Sequence, residues 1–253
     1  VLPSPIYPAY CVRRLFSQKM NDDIQLGKRL GAIVKPITQH QAYDHIWDCC
    51  CDHGYLGTYL LSHFSKQAKH KVQINFVDQV THITEQLCNK LEQSPFSHYE
   101  VHTLDAAHLE LTKNKRHCII IAGVTTTGTL RILQTLLSQH PKQKLDFILC
   151  PTRGQYDLRQ YLRKQKAHLI EERHILENSR HYELLYVRFC GNQVQDDHKQ
   201  VSSIGDFWQK NNADHLSYIS NRISHYQQEL LDPSKRDALE AVQLYSKMHQ
   251  HIC

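Results

Sequence analysis

Residues 46–56 read Ile-Trp-Asp-Cys-Cys-Cys-Asp-His-Gly-Tyr-Leu, and the fold is decided by how this stretch is parsed. Ile46 to Cys50 has the apolar density of a short buried strand. Asp52-His53-Gly54 supplies turn residues, and Tyr55, Leu56, Tyr59, Leu60 and Phe64 recur at helical spacing. A strand, a tight turn and a helix in that order open an α/β unit.

Outward from it the same alternation continues. Before it, Leu26, Leu30, Ile33 and Val34 give a helical face expected to stop ahead of Pro36. After it come a strand from Val72 to Val77 ending at Asp78, and a helix around Ile83, Leu87 and Leu91. A third strand, Tyr99 to Leu104, ends at Asp105, and Cys118 to Gly123 forms the most apolar strand, followed by a helix from Thr129 to Leu137. Leu145 to Cys150 is a fifth strand stopped by Pro151, with a helix from Asp157 to Gln165. Leu169–Leu176 and Glu183–Phe189 read as a closing antiparallel pair. The pattern predicts an α/β fold, a Rossmann-like, three-layer, mostly parallel sheet with a closing antiparallel hairpin. Such sheets take ligands beyond the carboxyl ends of their strands.

The predicted organisation has four parts: a proline-rich leader (1–19) with Met20 as a candidate start, the α/β domain (20–190), a polar linker (191–204) and a C-terminal α-helical hairpin (205–253). The hairpin's seam is Leu216, Ile219, Ile223, Tyr226 and Leu230 on one arm, and Leu239, Val242, Tyr245 and Met248 on the other.

Composition narrows the classes further. The chain has 253 residues, 41% hydrophobic and 22% charged, with only 9 Gly and 8 Pro, which excludes collagen-like and wholly disordered chains. No apolar run reaches the roughly 18 residues of a membrane span. Nine cysteines, an odd number without any C-x-x-C, do not make a disulfide or zinc framework, so no metal is expected and a reducing cytoplasm is read. The net charge of +5 sits mainly on residues 20–190, with 21 basic groups against 17 acidic, while residues 205–253 hold five against six. A polyanionic partner is allowed by this balance.

The opening turn also limits the ligand. A dinucleotide site needs glycines so that backbone can approach a pyrophosphate, and in the frame from Asp48 the three glycine positions hold Cys50, Asp52 and Gly54. S-adenosylmethionine demands less, because its methionyl end is a zwitterion. Asp48 is placed for its ammonium, Asp78 for ribose hydroxyls and Asp105 for the adenine amino group, although any single one of these could equally cap a turn. Asp52 and His53, at the open end of the sheet, are candidates for orienting a base and stabilising its charge. Each has a bland alternative, Asp52 as a helix cap and His53 bound to backbone.

The segment Asp48-Cys-Cys-Cys-Asp-His-Gly-Tyr-Leu56 resembles the D-I-G-C-D-H-G-Y-L segment of the bacterial TrmK-like tRNA (adenine-N1) methyltransferases. Lys28-Arg29-Leu30, Ile120-Ile121-Ala122-Gly123, Leu149-Cys150-Pro151 and Tyr182-Glu183 are similar to that family's K-R-L, I-A-G-M-G-G, L-Q-P and Y-E stretches, so that roughly residues 26–190 are covered. The resemblance implies a class I methyltransferase fold, S-adenosyl-L-methionine as donor, N1 of adenine-22 in tRNA as acceptor and a C-terminal helical domain. The cofactor set it supports is Asp48, Cys50, Gly54, Asp78, Asp105, Ala106, Ala122 and Gly123. Two departures stand out: Cys50 replaces the first motif glycine, and Val124-Thr125-Thr126 replaces M-G-G, with Thr127-Gly128 behind it. Bulkier, stiffer threonines facing the methyl group and the base would alter affinity, substrate choice or activity. The other readings are therefore a non-catalytic RNA- or cofactor-binding protein, or a methyltransferase for another RNA or a small molecule. Arg153, Arg159 and Arg163, in the basic run beyond the fifth strand, are candidates for tRNA phosphates, with a solvated helix face as the alternative.

Overall fold

The structure is a computed structural model that describes residues 25–40, 43–66, 71–191, 199–232, 235 and 237–253. The leader, Met20 and most of the first half of the expected linker lie outside the described residues. Seven strands form one sheet: β1 (His45–Cys49), β2 (Gln73–Asp78), β3 (Tyr99–Thr103), β4 (His117–Ala122), β5 (Leu145–Cys150), β6 (His168–Glu177) and β7 (Arg180–Phe189). Their order is β3-β2-β1-β4-β5-β7-β6. β1 to β5 are parallel, and β7 pairs antiparallel with both β5 and β6. The chain winds outward from β1 through β2 to β3, then returns and winds the other way from β4. The carboxyl ends of β1 and β4 therefore flank the switch point, where such a sheet opens a crevice.

The helices are α1 (Lys28–His40), α2 (Tyr55–Ser65), α3 (Thr81–Glu92), α4 (Thr126–Gln139), α5 (Gln155–Lys164), α6 (Ala213–Glu229) and α7 (Asp237–Ile252), with a 3₁₀ turn at Ala106–His108. Strand side chains alternate between faces. Cys118 and Ile120 join a core under α1 to α3 that includes Ile33, Leu60, Ile74 and Phe76. Ile119 and Ile121 join the opposite core, with Leu133, Leu136, Phe147 and Leu158 beneath α4 and α5. Burial on both faces is what parallel strands require, and it explains their nearly unbroken apolar sequence.

Three expectations are corrected. α1 does not stop ahead of Pro36 but carries it inside and runs on to His40. Proline removes one helical hydrogen bond, yet Ile33 and Ile37, 0% and 1% exposed, hold the turns on either side against the core. Residues 199–204 are no loose linker: Leu169 N–H donates to the Lys199 carbonyl, and Val201 and Ile204 are buried. The seam of the C-terminal helices differs from the expected one only in part: Ile219, Tyr226 and Tyr245 are buried with Leu216, Ile223, Val242 and Met248 packed against them, but its members next to the turn between the helices are not. Tyr218, Ile219, Tyr226, Ala238, Ala241, Tyr245 and Ile252 are buried, whereas Leu230 and Leu239 are exposed. Tyr218 of α6 faces the sheet instead, its hydroxyl donating to Glu183 Oε1.

No helix of the described residues is long and apolar enough to cross a membrane.

Candidate active site

Two adjoining cavities open at the switch point. The larger, about 590 Å³, lies over the carboxyl ends of β1 and β2, between the Asp105 turn and α4; Asp78, Asp105, Ala106, Thr125 and Arg131 are among its walls. The smaller, about 300 Å³, is lined by Arg29, Asp48, Asp52, His53, Tyr55, Ala122 and others. Cys50, Asp52, Gly123 and Val124 border both, so the two form one bent crevice.

The turn after β1 keeps a glycine-type backbone without the glycines. Cys50 and Asp52 have φ of 58° and 48°, and Gly54 follows at 67°. Non-glycine residues in this left-handed region cost of order 1 kcal/mol each. Cys51 N–H on the Val77 carbonyl and Gly54 N–H on the Cys51 carbonyl hold the turn shut. A side chain at Gly54 would be strained by the positive φ and would press on Leu87, with its Cβ 2.7 Å from Leu87 Cδ1. Gly57 lets α2 lie against β2; its Cβ would meet Phe76 Cε1 at 2.3 Å. The first-glycine departure at Cys50 is thus one of side chain, not of backbone path.

Four carboxylates stand around the crevice. Asp48 is 4% exposed, and its Oδ2 accepts the Gly57 N–H at 2.9 Å. Burial pushes its carboxyl up to about 7; the Gly57 N–H opposes the rise and nearby Asp78 adds to it. Asp78 accepts from Asp52 N–H (3.3 Å) and Val80 N–H (3.0 Å), fixing its carboxylate at the end of β2. Asp105 accepts from Ala107 N–H and is clamped by both Nη atoms of Arg131 at 2.6 and 2.9 Å, which holds its carboxyl below the usual range. Asp52 and His53 sit at the mouth, 3.8 Å apart and about two-thirds exposed. Asp52 does not cap α2: Gly54 is the cap residue, without a side-chain hydrogen bond.

Burial raises all three thiols of the cysteine cluster, Cys50 to about 11, with Asp78 and Asp48 adding to the effect there. They remain protonated at neutral pH and are poor nucleophiles. The threonines divide their work. Thr125 caps α4 by accepting the Gly128 N–H, and Thr126 turns away to donate to the Arg153 and Gly154 carbonyls at 2.8 Å. Thr125 alone of the three lines the crevice.

Arg29 and Arg131 are site residues that the sequence reading passed over. Arg29 enters from α1 with its guanidinium 5.3 Å from the Tyr182 ring centroid and beside the Cys150 thiol, and its buried Nη1 has no oxygen acceptor. A thiol is a weak acceptor, so a stronger one suits this place.

The basic run does not form one patch. Arg153 and Arg163 are exposed, the first in the turn ahead of α5 and the second in the last turn of that helix. Arg159, expected on phosphates, is instead 0% exposed. It donates to Glu183 Oε2 (2.6 Å), Glu172 Oε2 (2.7 Å) and the Ser202 carbonyl (3.2 Å), while Tyr218 donates to Glu183 Oε1 at 2.7 Å. Its two carboxylate partners, not solvent, decide its place. Among the described residues no group of His, Cys, Asp or Glu has a metal-holding arrangement.

A family profile described as "Methyltransferase domain" matches residues 26–185, more than half of the chain. The chain belongs to the methyltransferase-domain family. No curated protein sequence matches the chain. Among solved structures, the chain is similar to Mycoplasma capricolum TrmK in complex with S-adenosylhomocysteine (TM-score 0.64, 21% identity, 90% of this chain and 97% of that one). It is also similar to a Streptococcus agalactiae protein of the NADB-Rossmann superfamily (0.66, 18%, 90% and 98%) and to the Bacillus subtilis m1A22 tRNA methyltransferase TrmK (0.55, 16%, 90% and 97%). At such identities the likeness concerns the fold, over about nine-tenths of this chain.

Proposed function

We propose that this methyltransferase-domain protein uses S-adenosyl-L-methionine to methylate N1 of an adenine in tRNA, adenine-22 by its likeness to TrmK, in a cytoplasmic setting. The observation that carries the donor assignment is the pairing of Arg29, whose buried Nη1 has no oxygen acceptor, with a ladder of carboxylates in one crevice. Arg29 Nη1 would take the methionyl carboxylate, Asp48 the ammonium, Asp78 the ribose hydroxyls, and Asp105 with Ala106 the adenine edge. Cys50, Gly54, Ala122 and Gly123 shape the wall between them. The bound donor supplies an electrophilic sulfonium methyl.

The chain's own part is positioning and charge. The ring lone pair of adenine N1 needs no base, but the ring becomes cationic on methylation. Asp52 at the mouth offsets that charge, and His53 beside it orients the base. In this reading residues 20–190 carry the chemistry, and the C-terminal helices position the RNA.

The test is transfer of labelled methyl from S-adenosylmethionine to bulk bacterial tRNA, with nucleoside mass spectrometry of the product. N1-methyladenosine that disappears in Asp48→Ala is expected. Cofactor binding without transfer would instead favour a non-catalytic binding protein, and transfer to small metabolites alone would remove tRNA from the reading.

A further inference from the structure

The opposite end of the sheet carries a second cavity of about 590 Å³, at the amino ends of β4 and β5. One strand length, roughly 20 Å, separates it from the crevice above. Its floor is built, not merely charged. Asp146, 4% exposed, accepts Arg188 Nε and Nη2 at 2.6 and 2.7 Å and the Tyr43 hydroxyl at 2.6 Å. The Arg188 guanidinium is thereby fixed in plane while its side chain stays 13% exposed. His117 beside it is locked between Trp47 Nε1 (3.1 Å) and the Thr112 carbonyl (2.9 Å).

Two loops form the rim. Lys113, Lys115 and Arg116 rise from one, and Lys142 and Lys144 from the other, all five exposed. Lys115 is engaged by Asp44 at 3.3 Å. Asp146, already held by Arg188, is the single carboxylate in a lining that contains six Lys or Arg. A concave wall lined by one sign of charge focuses the field and draws in counter-ions. The methyltransferase crevice has the reverse balance, with Asp48, Asp52, Asp78 and Asp105 against Arg29 and Arg131. Of these cavities, the cationic one is therefore at the end of the sheet remote from the candidate chemistry.

We propose that this cavity is a second ligand site, taking the phosphoryl groups of an oligophosphate anion. The fixed guanidinium offers a planar fork at the floor, and the lysines supply mobile charges at the rim. Such groups are presented by an RNA backbone or by a free polyphosphate, and the site's existence does not depend on what the crevice transfers.

The experiment compares wild type with Lys142→Gln/Lys144→Gln, and with Lys113→Gln/Arg116→Gln as an independent rim variant. Inorganic triphosphate binding is followed by calorimetry, and bulk tRNA binding by fluorescence anisotropy across a salt series. All these side chains are exposed, so melting temperature and S-adenosylmethionine affinity are expected to stay unchanged. Weakening of triphosphate alone, by about tenfold, identifies free polyphosphate as the ligand. Weakening of tRNA binding, with a salt slope shallower by about two, identifies RNA backbone. If neither probe binds more weakly to either variant, the proposal is overturned.

Discussion

Asp48→Asn separates the charge of the buried carboxylate from its shape, because the amide oxygen can still accept the Gly57 N–H. The wild-type carboxyl is pushed up to about 7 in the fold from 3.8. Its raised value means that the fold is favoured by protonation: stability is fully present below about pH 4 and is lost as pH rises through 7. Each pH unit between those values costs about 1.4 kcal/mol, so the total is about 4 kcal/mol, with about 3 kcal/mol of it appearing between pH 5 and pH 8. Without cofactor, the variant is expected to gain on wild type by that amount over this interval in urea denaturation. Binding of a cationic methionyl ammonium reverses the balance, since it requires the ionised form. The ionised fraction rises from about one-tenth at pH 6 to about nine-tenths at pH 8, so wild-type affinity for S-adenosylmethionine should climb roughly ninefold, with proton release below pH 7. The variant should bind weakly at both. A stability difference that stays constant with pH, or a wild-type affinity that does, would refute the reasoning.

Arg159→Met should cost about 3–5 kcal/mol in denaturation experiments, because it leaves Glu183 and Glu172 buried without their cation. A loss below about 1 kcal/mol would mean that the three groups are not coupled as described. Cys50→Gly relieves a left-handed residue and should stabilise the chain by up to about 1 kcal/mol. Measured destabilisation would show that the thiol's packing outweighs the strain.

The strand-end carboxylates were legible because each stands at the break between an apolar run and a turn, a local signal. Arg159 was not read correctly, although a signal existed: it lies three residues after Tyr156 and three before Leu162, on the apolar side of α5. Arg29 carries the same signal, three residues after Leu26 and four before Ile33. Charge type outweighed helical phase in the reading of Arg159, and Arg29 was passed over despite its phase. Most of the nineteen histidines had no local signature at all. His45, His117 and His102 stack around Trp47. His174, His181 and His215 gather around Tyr218 and Phe207. Burial lowers the pKa of each of these six, His174 to about 4. They act as neutral aromatic filler, the first group brought together by pairing of distant strands and the second by the β6–β7 hairpin and α6.

The clasp on Glu183 has a consequence for how the molecule comes apart. One carboxylate in the sheet holds Arg159 from α5 with one oxygen and Tyr218 from α6 with the other. Peeling away the C-terminal helices strips the hydroxyl donor from a group that is 0% exposed. Such an intermediate leaves Glu183 with Arg159 alone and bares Tyr156 and Ile204, which share a core with the helices. The helical pair and the sheet are therefore expected to melt in a single transition, and the helices are no detachable module that could be grafted onto another domain by joining chains at residue 205.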